Sequence, residues 1–240
     1  MNQLTLWFSN ICILFMLLPL ILSLINKKEL NKNLYFFKYL LLGQLIMSLL
    51  ERFYIYLGYN HIEYIMPFIN WAGVEDTNFL RIGNYLVCTY FLGKFYYSLL
   101  KQDPIAPFIK WTALTGSVAM LINYFFIEGY KVVGYFNPNF DNFFCLFTSG
   151  YYLVYLLKSD NKVPISKNSY FWISLGLFTY CIISSIFRFI GDDLNRYNYN
   201  LYLQFLMAKN VIDLIAQILY GIGFYYAFYT RYLHQEEVTA

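Results

Sequence analysis

Charge is scarce in this chain. Asp, Glu, Lys and Arg make up 13% of its 240 residues and hydrophobic residues 59%, whereas soluble domains carry roughly 25% charged residues. That balance excludes a soluble globule. Histidine is scarcer still: His61 and His234 are the only two, so the His-rich constellation of an intramembrane zinc hydrolase cannot be assembled, and neither a metal nor another cofactor is expected. A Ser/His/Asp arrangement lacks a histidine at helix depth. No G-x-S-x-G, H-E-x-x-H or G-x-x-x-x-G-K-[ST] string occurs, which argues against a hydrolase or an NTPase. The four cysteines, Cys12, Cys88, Cys145 and Cys181, fall inside apolar segments rather than loops. This argues against a secreted disulfide framework, and they read as small buried hydrophobes. No nucleic-acid partner is expected.

Apolar runs, by contrast, are abundant. Seven segments approach the ~20 residues a helix needs to cross about 30 Å of hydrocarbon: 5–25, 35–57, 79–100, 107–127, 140–157, 169–190 and 210–232. A membrane barrel would alternate apolar and polar residues in short strands, whereas these runs are continuous, and only a helix satisfies its own backbone in lipid. The expected fold is all-α, a polytopic seven-transmembrane-helix bundle forming a single domain over 1–240. The N-terminal segment MNQLTLWFSNICILFMLLPLILSLINKKEL lacks a basic leader and a small-x-small cleavage site, so it is expected to stay as the first helix.

The connections after the first, third and fifth segments hold Lys27, Lys28 and Lys32, then Lys101 and Lys110, then Lys158, Lys162 and Lys167. Those after the second, fourth and sixth hold Glu63, Glu75 and Asp76, then Glu128 and Asp141, then Asp192 and Asp193. The positive-inside bias therefore predicts the N-terminus outside and the tail RYLHQEEVTA in the cytoplasm of a cell, on the pattern of a bacterial inner membrane. The outward connections, notably 58–78 and 191–209, are the longer ones. Within the first, NHIEYIMPFINWAG mixes apolar and aromatic residues with His61 and Glu63, as a segment lying at the membrane interface would. Aromatics reach 22%, which reads as compositional bias. No internal repeat of the transporter kind is visible.

Charges at membrane depth are costly, about 2.5–3.5 kcal/mol each near a helix centre on insertion scales, and normally face a protein interior. Here they fall in stripes. Gln44, Ser48 and Glu51 share a face of the second segment, with Arg52 beside them. Arg81, Asn84 and Cys88 repeat the pattern in the third. Tyr180, Ser184 and Arg188 do so in the sixth, and Asn210, Asp213, Gln217 and Gly221 in the seventh. The deduced topology puts Glu51, Arg52, Arg81, Arg188 and Asp213 in the outer third, where the stripes could meet around an outward-open polar pocket completed by Asn84 and Gln217. Three arginines against two acids leave a surplus guanidinium suited to a carboxylate or phosphate. The competing reading is a structural ion-pair network, with Arg81 and Arg188 snorkelling to headgroups. Lys94 reads as an interfacial anchor.

Retinal proteins resemble this chain in topology but need a lysine midway along the last helix. Here Ala216, Gln217 and Leu219 occupy the middle and Lys209 lies at the outer entrance. The Pro-Gln pair of PQ-loop transporters is also lacking. The segments SYFWISLGLFTY at 169–180 and TNFLRIGNYLVCTYFLGKFYYSLL at 77–100 resemble those of small bacterial seven-helix proteins found alone or as input modules of sensor kinases. That resemblance covers about a sixth of the chain and implies sensing, although the tail is too short for an enzymatic output domain. Three readings stay open. One is a sensor or regulatory protein that binds a small polar or anionic ligand and signals through a cytoplasmic or membrane partner. The second is a channel or transporter for ions or small solutes, conceivable as a homo-oligomer. The third is a lipid-modifying enzyme using Glu51 and Asp213. The inner half, where Tyr96, Tyr225 and Tyr229 dominate, continues no charged stripe, which favours the first.

Overall fold

A computed structural model describes residues 2–25, 27–74, 76–131, 134–158 and 164–227. Glu75, Lys162, Tyr229, His234 and positions 228–232 of the seventh expected segment lie outside them. The fold is all-helical, 89% helix, with no strand among the described residues. Its helices are α1 (Asn2–Phe15), α2 (Leu17–Ile25), α3 (Lys32–Asn60), α4 (Ile62–Ala72), α5 (Asn78–Leu99), α6 (Ala106–Ile122), α7 (Phe136–Lys158), α8 (Ser169–Tyr197) and α9 (Tyr199–Tyr225). Four helical stretches are long and apolar enough to cross a membrane, Trp7–Ile25, Lys32–Asn60, Ser169–Gly191 and Tyr199–Tyr225, which marks the chain as a membrane protein.

Local chemistry sets the helix ends. The first apolar run is two helices rather than one, because the Pro19 ring opposes the carbonyl four residues back, at Phe15, where α1 stops. Asparagine side chains cap three starts: Asn31 accepts from Leu34 N at 3.1 Å, Asn168 from Tyr170 N at 2.9 Å and Asn198 from Leu201 N at 3.1 Å. The last of these corrects the expected long connection over 191–209. Helix α8 runs on to Tyr197 and α9 starts at Tyr199, so only Asn198 separates them. Hydropathy marks the apolar part of a helix; the polar residues beyond it stay helical until a cap intervenes.

Helix α6 runs into a π-helical turn over Asn123–Ile127. Beyond it, the Glu128 carboxylate accepts from Asn123 Nδ2 at 2.6 Å and from the backbone N–H groups of Tyr135 and Phe136 at 3.1 and 3.0 Å. Glu128 is thus the anionic cap of α7 rather than a free loop acid. Gly134 leaves it room, since a Cβ there would come within 2.1 Å of its Oε2. Glu128→Ala should lower stability by about 1–2 kcal/mol, read as a shift in thermal unfolding of the detergent-solubilised chain.

Helices α2, α9, α8, α7, α5 and α3 contact one another in that order, and α3 returns to α2 to close a ring; α1 lies on α9, and α6 stands outside against α5. At Gly93 the α5 backbone comes so near α6 that an added Cβ would meet Ala113 Cβ at 2.3 Å, the small-residue contact typical of helices in lipid. Successive long helices along the chain, α3, α5, α6, α7, α8 and α9, run alternately up and down. Thr77 joins Glu51 and Tyr124 joins the Phe79 carbonyl at one end, while Ser98 joins Asn33 and Asn31 joins Tyr170 at the other. The outward faces are apolar: Ile46, Leu49 and Phe53 on α3 and Val211, Ile215 and Ile218 on α9 are exposed. Each stands at helical spacing opposite the polar stripe of its own helix.

Aromatic packing closes the ring at the second end. Phe37, Phe95, Tyr96 and Phe224 are fully buried. The Phe37 ring meets Phe95 at 5.4 Å and Tyr220 at 5.1 Å between centroids, and Phe95 meets Tyr96 at 5.0 Å. The Tyr96 hydroxyl spends its hydrogen bond on Ser174 Oγ at 2.9 Å. Tyr225 does not belong to this layer, because it is exposed on the outer face of α9.

Candidate ligand-binding cavity

Above that aromatic floor α1 takes the place of α2 between α3 and α9, and with α5, α7 and α8 these helices surround a cavity of about 410 Å3, within the roughly 300–1,000 Å3 usual for small-molecule sites. Its base is set by Tyr220, Cys181 and Cys145, all buried, and its upper wall by half-buried side chains. The cavity therefore opens at the end where α3 and α8 finish and α5, α7 and α9 begin.

Six of the seven residues singled out from the sequence line it: Glu51, Arg52, Asn84, Arg188, Asp213 and Gln217. The seventh does not. Arg81 is exposed and borders two small clefts beside the cavity. It sits in the first turn of α5, above the rim, where a guanidinium keeps its water.

The charged groups find partners other than those expected. Asp213 pairs with Lys209, one turn earlier on α9, at 2.7 Å. Glu51 accepts from Thr77 Oγ1 at 2.7 Å, and Arg52 donates to Ser9 Oγ. Asp141, expected in the connection after the fourth segment, lies instead on α7, lines the cavity, and accepts from Thr89 Oγ1 at 2.9 Å. The legible signal for Asp141 was its spacing to Cys145 and Ser149, which makes a fifth polar stripe. Lys209 carried a similar signal in its i, i+4 spacing to Asp213.

With Asp141 and Lys209 added, the lining holds three anions (Glu51, Asp141, Asp213) and three cations (Arg52, Arg188, Lys209). The expected cationic surplus disappears. No family model, curated protein or solved structure matches this chain.

Several polar atoms of this lining are buried with no hydrogen-bond partner in the protein: Asn84 Oδ1, Asn142 Nδ2, Arg188 Nε, Asp213 Oδ1 and Gln217 Oε1. Buried polar groups are hydrogen-bonded in the great majority of cases, and leaving one unpaired costs about 1–3 kcal/mol. Five such atoms face a single cavity, where water or another polar molecule can satisfy them. All four cysteines also line the cavity and are free thiols. Cys12 Sγ lies 3.4 Å from the Asn210 carbonyl, so it serves a wall contact.

Proposed function

We propose that this chain is a seven-helix integral membrane receptor that takes a small polar ligand from the extracytoplasmic side and passes the signal to a cytoplasmic or membrane partner. The seven spans would be the rods α1–α2, α3, α5, α6 with its π-helical turn, α7, α8 and α9. Lys28, Lys101, Lys110 and Lys158 gather at the floor end, while Glu63, Asp76 and Asp193 gather at the mouth. The positive-inside rule thus turns the mouth outward. Helix α4, whose Tyr64 and Trp71 are exposed, suits the interface beside it.

The observation that carries this reading is a polar cavity with unpaired buried groups that ends on the packed Phe37, Phe95, Tyr96 and Phe224 layer. A conduit needs a polar path through that layer. A lipid-modifying enzyme needs Glu51 and Asp213 to act together, and each turns an oxygen to its own partner, Thr77 for Glu51 and Lys209 for Asp213. Tyr220 lines the cavity base and also touches Phe37. A ligand at that depth would press directly on the core between α3 and α9, which supports a receptor that reports occupancy through helix packing.

Purified chain in proteoliposomes should bind solute without moving it. The measurement is flux of radiolabelled amino acids, sugars and phosphate across the vesicle wall, run beside binding in the same preparation. Sustained flux of a bound solute would replace the receptor with a conduit.

A further inference from the structure

We infer that the ligand is a small zwitterion, held with its anionic group at Arg188 and Asn142 and its ammonium group at Asp213 and Gln217. The inference rests on the binding role proposed above and adds the ligand class.

Charge comes first. A cavity lined by three cations and three anions is formally neutral, so a ligand with net charge would be desolvated there with no opposite surplus to receive it. Pairing within the lining then removes most of those groups from consideration. Lys209 is held by Asp213, Arg52 by Ser9, Glu51 by Thr77 and Asp141 by Thr89.

The unpaired atoms are sorted by position. The two donors, Asn142 Nδ2 and Arg188 Nε, come from the adjacent helices α7 and α8. Asp213 Oδ1 and Gln217 Oε1 are acceptors one turn apart on α9, and Asn84 Oδ1 adds a third from α5. One wall therefore offers a guanidinium and an amide N–H, and another a carboxylate oxygen and an amide oxygen. A neutral polyol could satisfy the counts. Two of the five atoms belong to charged groups, however, and charge-assisted hydrogen bonds are roughly twice as strong as neutral ones. A molecule with separated anionic and ammonium ends meets both walls with such bonds and keeps the site neutral. A free amino acid and a phosphatidylethanolamine headgroup share this chemistry.

The test uses the full chain in nanodiscs of phosphatidylglycerol alone, with thermal unfolding as readout. The probes are a pool of the twenty common amino acids, the same pool N-acetylated, the same pool as amides, a pool of neutral sugars, and inorganic phosphate. The free amino-acid pool should raise the melting temperature, and each blocked pool should need at least tenfold more solute for the same shift. Arg188→Gln should weaken the response to the free pool at least tenfold and leave the amide pool unchanged; Arg188→Lys keeps the charge if the glutamine variant does not fold, and should retain part of the response. Arg81→Gln, outside the cavity, should change nothing. If the free pool is silent in phosphatidylglycerol but added phosphatidylethanolamine stabilises the chain through Arg188, the zwitterion stands and its source is the lipid. A response to acetylated amino acids, phosphate or sugars equal to or above that of the free pool would overturn the zwitterion and leave the polar-ligand reading intact. No response to any probe or lipid would overturn both.

Discussion

Phe37→Ala should cost about 3 kcal/mol of stability, the low end of the range for truncating a buried phenylalanine. Phe37 is fully buried in the floor and meets Phe95, Tyr220 and Phe224 at 5.4, 5.1 and 6.0 Å between ring centroids. In lipid the unfolded helices are already in an apolar solvent, so little of the loss is transfer out of water. It comes from the void and from missing ring contacts. Phe53 on the same helix is 59% exposed toward the outside, and Phe53→Ala should change stability by no more than about 0.5 kcal/mol. Steric trapping or SDS titration of the two variants in one detergent gives the comparison. Equal losses would mean that the aromatic layer is not a packed floor.

The second large effect concerns Asp213. Its removal strands the Lys209 ammonium in the cavity wall, where both side chains are only about a fifth exposed, 20% and 19%. Asp213→Ala should therefore destabilise by about 2–3 kcal/mol, less than the 3–5 typical of fully buried pairs. Adding Lys209→Ala should recover part of that loss, giving a coupling of about 1 kcal/mol or more in a double-mutant cycle. The same cycle between Arg188 and Asp213 should give a smaller coupling, because the ion pair of Asp213 is with Lys209. A larger coupling for Arg188 than for Lys209 would reverse the assignment of partners and remove Arg188 as the proposed partner of an anionic group.

These expectations also show how far the residues alone lead. Glu51, Asn84, Arg188, Asp213 and Gln217 were legible because each repeats with polar neighbours every three or four positions on an otherwise apolar helix. Arg81 obeyed the same spacing and lies outside the cavity, since spacing reports rotation about a helix and not depth along it. Asp141 was hidden by its polar neighbourhood, FNPNFDN, which looks like a loop until Glu128 caps it as the start of α7. The π-helical turn that positions Glu128 has no signature in the local apolar pattern.

What the amino-acid order decided by itself is the helical class and the division of each long helix into an apolar and a polar side. Both follow from contacts within about four residues, and from the need of a backbone in lipid to satisfy itself. Tertiary structure alone decided which ions meet, that the cavity is electrically balanced, and that an aromatic layer seals one end. Those outcomes depend on the relative depth and rotation of helices far apart in the chain, quantities that no local spacing encodes.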